Sequence, residues 1–220
     1  MIGMERGRVL ISGFEPFDGE TVNVSGLVAR ALEGTDVHGV RVHGLELPCE
    51  FGRSLGVLDE ALRRLRPRWV LAMGQAAGRA ALSLERVAVN LDDARIPDNA
   101  GQAPVDTPVV AGAPAAYFAT LPVKAMLEAL EAAGVPAQLS SSAGHFVCNH
   151  VFFGLQHRLR RSRTRSGFMH LPALPEQAVR HPQWPVMPLE QQILGVQTAL
   201  AAMVRHGDAP DLCRARGDTC

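Results

Sequence analysis

Trp69-Val70-Leu71-Ala72-Met73 is a continuously apolar run preceded by Pro67. It neither alternates nor repeats at helical spacing, so it reads as a strand buried on both faces, the kind found in largely parallel sheets covered by helices. The flanks keep the same rhythm. Upstream, Leu55, Leu58, Leu62 and Leu65 stripe a helix over residues 51–65, and residues 40–47 form an aliphatic strand ended by Pro48. Before them come a helix over 24–33, with Asn23 or Ser25 as N-cap and Gly34 as stop, and a strand over 8–14.

Downstream, residues 83–91 (SLERVAVNL) alternate cleanly, which places Glu85 in one row with Val87, Val89 and Leu91. A carboxylate in an aliphatic row is a local conflict, and such conflicts collect at functional sites. Residues 92–114 hold Pro97, Pro104, Pro108 and Pro114 and predict a long irregular segment. Helices are expected over 122–133, 148–160 and 188–205, and strands over 137–142 and 168–172. The sum is an α/β fold of phosphorylase- or hydrolase-like architecture. It has one domain over residues 1–206, with a twisted, mostly parallel, partly mixed sheet and helices on both faces, and a disordered tail over 207–220.

Lysine plus arginine and aspartate plus glutamate number 22 each, so no global field draws the chain to nucleic acid or an anionic membrane. The basic run RLRRSRTR at 158–165 reads as a solvated helix end entering a loop. Charges interrupt the N-terminal stretch where a signal peptide is apolar, and no window reaches membrane-spanning length, so a cytoplasmic protein is expected. Cys49, Cys148, Cys213 and Cys220 are too scattered for a disulfide scaffold and lack zinc-finger spacing. Closing Cys213 onto Cys220 would require oxidation.

The strongest chemical construction is Ser140-Ser141-Ser142-Ala143-Gly144-His145-Phe146-Val147-Cys148, a strand-to-helix turn. It sets a cysteine at a helix N-terminus, where free N–H groups and the helix dipole favour a thiolate and could hold an oxyanion. The bland alternative is a buried cysteine serving as a small hydrophobe. A nucleophile needs a base. His145 sits in the tight turn and His150 lies two helix positions on, facing elsewhere, whereas His170 ends a strand on the same rim. Glu85 would orient it, unless it is only a structural ion pair with Arg86 or Arg95. A zinc site of His145, Cys148 and His150 would lack a fourth ligand nearby.

Two long motifs carry a resemblance: GQAAGRAALSLERVAVN at 74–90 and LSSSAGHFVCN at 139–149. With GFEPFDGE at 13–20, DDARIPDN at 92–99, AAYFATLPVKAM from Ala115 and GFMHLPALPEQ at 167–177, they resemble the pyroglutamyl peptidase I family over residues 8–204. The resemblance implies a cysteine exopeptidase cutting after N-terminal pyroglutamate, with Glu85 orienting, Cys148 attacking and His170 moving the proton. It also implies oxyanion contacts from Arg95 and Cys148, and a lactam slot of Phe14, Phe17, Gln75, Ile96, Phe146 and Val147. It implies no metal or other cofactor, and a homo-oligomer, commonly a tetramer. A flat, uncharged lactam suits an apolar slot with few hydrogen bonds.

The chain departs from the family pattern at Cys49, where a threonine is usual, at Val24, where a proline is, and at His145, where a threonine is. These touch specificity rather than the proposed triad. A nucleoside phosphorylase-like transferase would share the architecture but needs an anion site, and no glycine-rich phosphate loop is evident. An idle binder of pyroglutamyl peptides would have no reason to keep all three triad candidates.

Overall fold

The computed structural model describes residues 7–216. The chain runs β1 (Val9–Phe14), α1 (Val24–Leu32), β2 (Asp36–Val37), β3 (Val40–Leu47), α2 (Arg53–Leu65), β4 (Trp69–Gln75), β5 (Leu82–Glu85) and β6 (Val87–Val89). It continues through β7 (Ala116–Phe118), α3 (Val123–Ala132), β8 (Ala137–Ser140), α4 (Val147–Leu159), β9 (Arg165–Leu171), a 3-10 turn (Pro175–Val179) and α5 (Leu189–His206). Seven strands form one sheet in the order β2-β3-β1-β4-β9-β5-β8, and β6 and β7 pair separately. Within the large sheet β2 is antiparallel to β3 and β5 to β9, while the other pairings are parallel. The fold is therefore the mostly parallel, partly mixed α/β sheet that the apolar run predicts.

Both sheet faces are covered, and the period of two decides which side chain meets which helix. Val9, Ile11, Trp69, Leu71, Met73, Leu84 and Met169 join the core under α1, α3 and α5. Leu10, Val70, Ala72 and Phe168 join Leu58, Val151, Phe152 and Leu155 under α2 and α4. Continued by two residues on each strand, from Ala72 and from Phe168, the second row brings Gly74 and His170 to the α4 face. Helix α1 starts as expected, with Asn23 Oδ1 accepting from Ser25 N at 3.1 Å.

Two expectations change. The strand predicted over 83–91 breaks at Arg86, whose N–H donates to Ser140 O at 2.8 Å while its carbonyl accepts from Ala119 N at 2.9 Å. Glu85 thus belongs to the large sheet, in register with Phe168 of β9, and shares no row with Val87 and Val89. Alternation continues across the break because β6 is itself a strand, so the pattern alone shows no change of partner.

Residues 207–216, expected to be disordered, lie against the body. Asp211 accepts from Lys124 N at 3.0 Å and Ala125 N at 3.1 Å, capping α3, whose own N-cap is Pro122 and supplies no side-chain oxygen. Such a cap contributes about 1 kcal/mol. Arg214 pairs with Glu128 at 2.6 Å and Arg216 with Glu131 at 3.2 Å. The suggested Cys213 to Cys220 closure falls partly outside the described residues; Cys213 is an exposed free thiol.

Candidate active site

Glu85 ends β5 fully buried, and its Oε1 is the meeting point of two donors. His170 Nδ1 lies at 2.7 Å and Arg79 Nη1 at 2.6 Å. The hydrogen bond to Nδ1 fixes the tautomer and leaves the His170 Nε2 lone pair free. Glu85 Oε2 is buried without a hydrogen-bond partner. The ion-pair partner of Glu85 is Arg79, and neither Arg86 nor Arg95, the two arginines weighed from sequence. Burial pulls the His170 imidazole below its ordinary value, against the opposing pull of Glu85, so the ring rests neutral at neutral pH.

Cys148 is the second residue of α4 and half-buried. Gly144, with φ +75, lets the chain turn sharply into the helix, a backbone conformation that side-chain-bearing residues rarely adopt. The N-cap Phe146 offers no side-chain oxygen, so the first-turn N–H groups are left without a side-chain cap. A Cβ added to Gly74 would stand 2.7 Å from Cys148 Sγ, so the sulfur rests against the bare backbone of β4. Gly74 is in turn the register partner of His170. Registered residues project on the same face, so the thiol and the imidazole occupy the same stretch of the α4 side.

The thiolate expected at a helix N-terminus is not the resting form. Burial, then the nearby Glu85 charge, push the Cys148 thiol up to about 12, outweighing the pull of Arg79 and of the residue's own N–H. Crowding by protein costs the anion more than the helix end returns.

A cavity of about 390 Å³ opens at the turn that leads into α4, lined by Phe17, Asp93, Arg95, Ile96, Gly144, His145 and Phe146. Of the residues expected at a lactam slot, Phe17, Ile96 and Phe146 line it, and so does Arg95. Phe14 and Val147 are fully buried members of the apolar cluster that includes Phe17 and Phe146. Gln75 does not line the cavity; its Oε1 accepts from Val24 N at 3.2 Å at the start of α1. Phe146 packs between Phe17, 6.0 Å away, and the edge of Phe51 at 5.4 Å. Cys49 is buried near Phe51, and burial pushes its thiol up, with Cys148 adding to the effect.

The 92–114 segment is irregular, as expected, but firmly tied. Asp92 Oδ2 meets His150 Nδ1 at 2.8 Å, while His150 Nε2 accepts from Gly52 N at 3.0 Å. Both ring nitrogens of His150 are thereby engaged, which removes it as base and as zinc ligand. Among the described residues no three His, Cys, Asp or Glu side chains converge as a metal cage. Asp98 accepts from Phe51 N at 2.8 Å, and Asn149 clamps the edge of β6 through Val89 N at 3.0 Å and Val89 O at 2.9 Å. Sequence reasoning gave no role to Arg79, Gly74, Asn149, Asp92 or Asp98. All five lie in the quoted motifs, but nothing in their spacing says what they touch.

Comparison with known proteins agrees with this geometry. A family model described as pyroglutamyl peptidase matches residues 7–206. The pyrrolidone-carboxylate peptidase of Cupriavidus taiwanensis is 55% identical over 196 residues, covering 88% of this chain and 91% of the relative. That of Klebsiella pneumoniae is 54% identical over 199 residues, covering 90% and 93%. Among solved structures, pyroglutamyl peptidase I from Bacillus amyloliquefaciens superposes with a TM-score of 0.92 at 38% identity, covering 96% of this chain and 100% of its own. With the match running through both motifs and nearly the whole sheet, the chain belongs to the pyroglutamyl peptidase family.

Proposed function

We propose that this protein is a cysteine exopeptidase that hydrolyses the amide bond after an N-terminal pyroglutamyl residue, with Cys148 as nucleophile, His170 as proton carrier and Glu85 as its orienting partner. The observation that carries the reading is the buried Glu85–His170 hydrogen bond of 2.7 Å on the sheet face where Cys148 Sγ rests against Gly74. Because thiol and imidazole both rest neutral, proton transfer accompanies attack. Cys148 Sγ bonds to the pyroglutamyl carbonyl carbon as its proton passes to His170 Nε2. The carbonyl oxygen becomes an oxyanion, stabilised by the Cys148 N–H at the α4 N-terminus and by Arg95. Collapse breaks the C–N bond, the leaving amine takes the proton from His170, and a thioester remains. Water, deprotonated by His170, then releases pyroglutamate and restores the thiol. Phe17, Ile96 and Phe146 give the lactam an apolar wall that a charged N-terminus would have to desolvate to enter.

Release of a fluorogenic amine from a pyroglutamyl amide under reducing conditions tests this, with a prolyl amide as control. Release from the first substrate alone, abolished by iodoacetamide, is the expected result. Release of neither, by folded and reduced protein, would sink the proposal. Activity requires neutral His170, so kcat/KM should be flat above neutrality and fall as pH drops through a value below 6.5.

A reducing, cytoplasmic setting fits the chemistry, since Cys49, Cys148 and Cys213 are free thiols. No described helix is long and apolar enough to cross a membrane. We extend the proposal to a homo-oligomer, a tetramer by family resemblance. Supporting it are the side chains of Phe118, 69% exposed, and Val179, 85% exposed, apolar surface that association would cover. Sedimentation velocity should give a mass several times that of one chain; a monomer at micromolar concentration would refute it.

A further inference from the structure

Arg79 closes the turn after β4, where its N–H donates to Ala76 O at 3.0 Å. Its guanidinium spans two elements that carry the chemistry. Nη1 meets Glu85 Oε1 at 2.6 Å, and Nη2 donates to Ser142 O at 2.8 Å. Ser142 lies in the turn that leads to Cys148, and that turn is internally braced. Ser142 N donates to Ser140 Oγ at 3.3 Å, and Gly144 N donates to Ser142 Oγ at 3.2 Å. Among the described residues Arg79 is the only arginine or lysine within ion-pair distance of Glu85. The arginine side chain is 23% exposed while the carboxylate has no exposure, so the pair is screened from water on the glutamate side.

We propose that Arg79 is a positioning residue for the catalytic step, its fork fastening the Glu85 carboxylate to the nucleophile's turn so that His170 and Cys148 are aligned by one side chain. The inference rests on the triad reading above. A carboxylate buried without water is costly unless partnered, and Arg79 donates to Oε1, the same oxygen that accepts from His170 Nδ1, so one carboxylate oxygen gathers both donors. A planar, bidentate guanidinium can satisfy the carboxylate and the Ser142 carbonyl together; a lysine ammonium keeps the charge but not the fork.

The charged groups acting on His170 are Glu85 on β5 and Arg79 on the turn after β4, with the Cys148 thiol on the same sheet face against Gly74. Arg79 opposes Glu85 at both ends of the proton path, lowering the imidazole and the thiol alike. Losing the charge therefore raises His170, and the acid limb of kcat/KM should move to higher pH.

The test compares wild type with Arg79→Ala and Arg79→Lys in the pyroglutamyl amide assay across pH, with folding checked by circular dichroism. Arg79→Ala should lose about 10- to 100-fold in kcat with KM within about threefold, the size expected from a misplacement near 1 Å. Its acid limb should shift upward. Arg79→Lys should keep the wild-type limb and lose about tenfold in kcat. Wild-type kcat in either variant, or a slower Arg79→Ala enzyme whose acid limb does not move, overturns the proposal. If Arg79→Ala does not fold, Arg79→Lys decides: reduced kcat at an unmoved limb supports it, and undiminished kcat overturns it. An inactive wild type would instead break the triad reading, so the two failures are distinguishable.

Discussion

Cys148→Ala should reduce turnover of a pyroglutamyl amide by roughly ten-thousandfold or more, the loss seen when a covalent nucleophile is deleted from a catalytic unit. The residue is half-buried and small, so the loss should not come from unfolding, and the melting temperature should stay within a few degrees of wild type. The cavity wall of Phe17, Ile96 and Phe146 is left untouched, so the variant should still bind a pyroglutamyl peptide. Steady-state turnover, a melting curve and a binding isotherm on the same preparation separate these effects. Turnover at the wild-type level would remove Cys148 from the mechanism. Loss of both turnover and binding would point instead to a collapsed pocket.

Gly74→Ala is expected to have the next largest effect, although Gly74 takes no part in bond making. The added methyl would lie 2.7 Å from Cys148 Sγ, closer than real Cβ contacts come, and 3.0 Å from Phe168 Cζ, tighter than nearly all of them. Phe168 is packed on Phe152 at 5.7 Å and on His170 at 4.9 Å between ring centroids, so it has little room to yield. The sulfur must turn away from the strand, and with it from the imidazole registered beside Gly74. Overpacking of this kind costs about 1–3 kcal/mol in stability, and a reacting atom misplaced by about 1 Å costs on the order of 100-fold in rate. The fall should appear in kcat, with KM little changed. Measuring kcat, KM and the rate of iodoacetamide alkylation at Cys148 checks it; turnover equal to wild type would mean that β4 does not constrain the sulfur.

The fold was legible where burial dictates the pattern. The unbroken run through Met73 is a central strand because both faces of β4 are covered, and the leucine stripe of α2 follows from one buried side. Glu85 stood out because a carboxylate in an apolar row is costly unless paired. Its partner was not legible. Arg79 sits in a turn, where no periodicity fixes direction, and reaches a carbonyl more than sixty positions away. The break at Arg86 was hidden for a related reason: alternation reports that a segment is extended and does not say which neighbour it pairs with. The 207–216 segment reads as polar, and only the fold brings Glu128, Glu131 and the α3 N-terminus beside it. The depressed thiol expected at the α4 start failed because the helix end is a short-range effect, whereas crowding around the sulfur depends on Gly74 and Phe168, far away in sequence.

Strand β9 lies between β4 and β5, so until residue 171 has been synthesised the growing sheet consists of two unjoined pieces, each with an open edge. The last strand to enter is also the one that carries His170. On the proposed triad, a chain still leaving the ribosome would carry Cys148 and Glu85 without their base, and hydrolytic competence would arrive in the same event that seals the sheet. The same order leaves the edges of β4 and β5 open to wrong partners for as long as β9 is missing, so slow or interrupted synthesis should be repaid in aggregation rather than in partial activity.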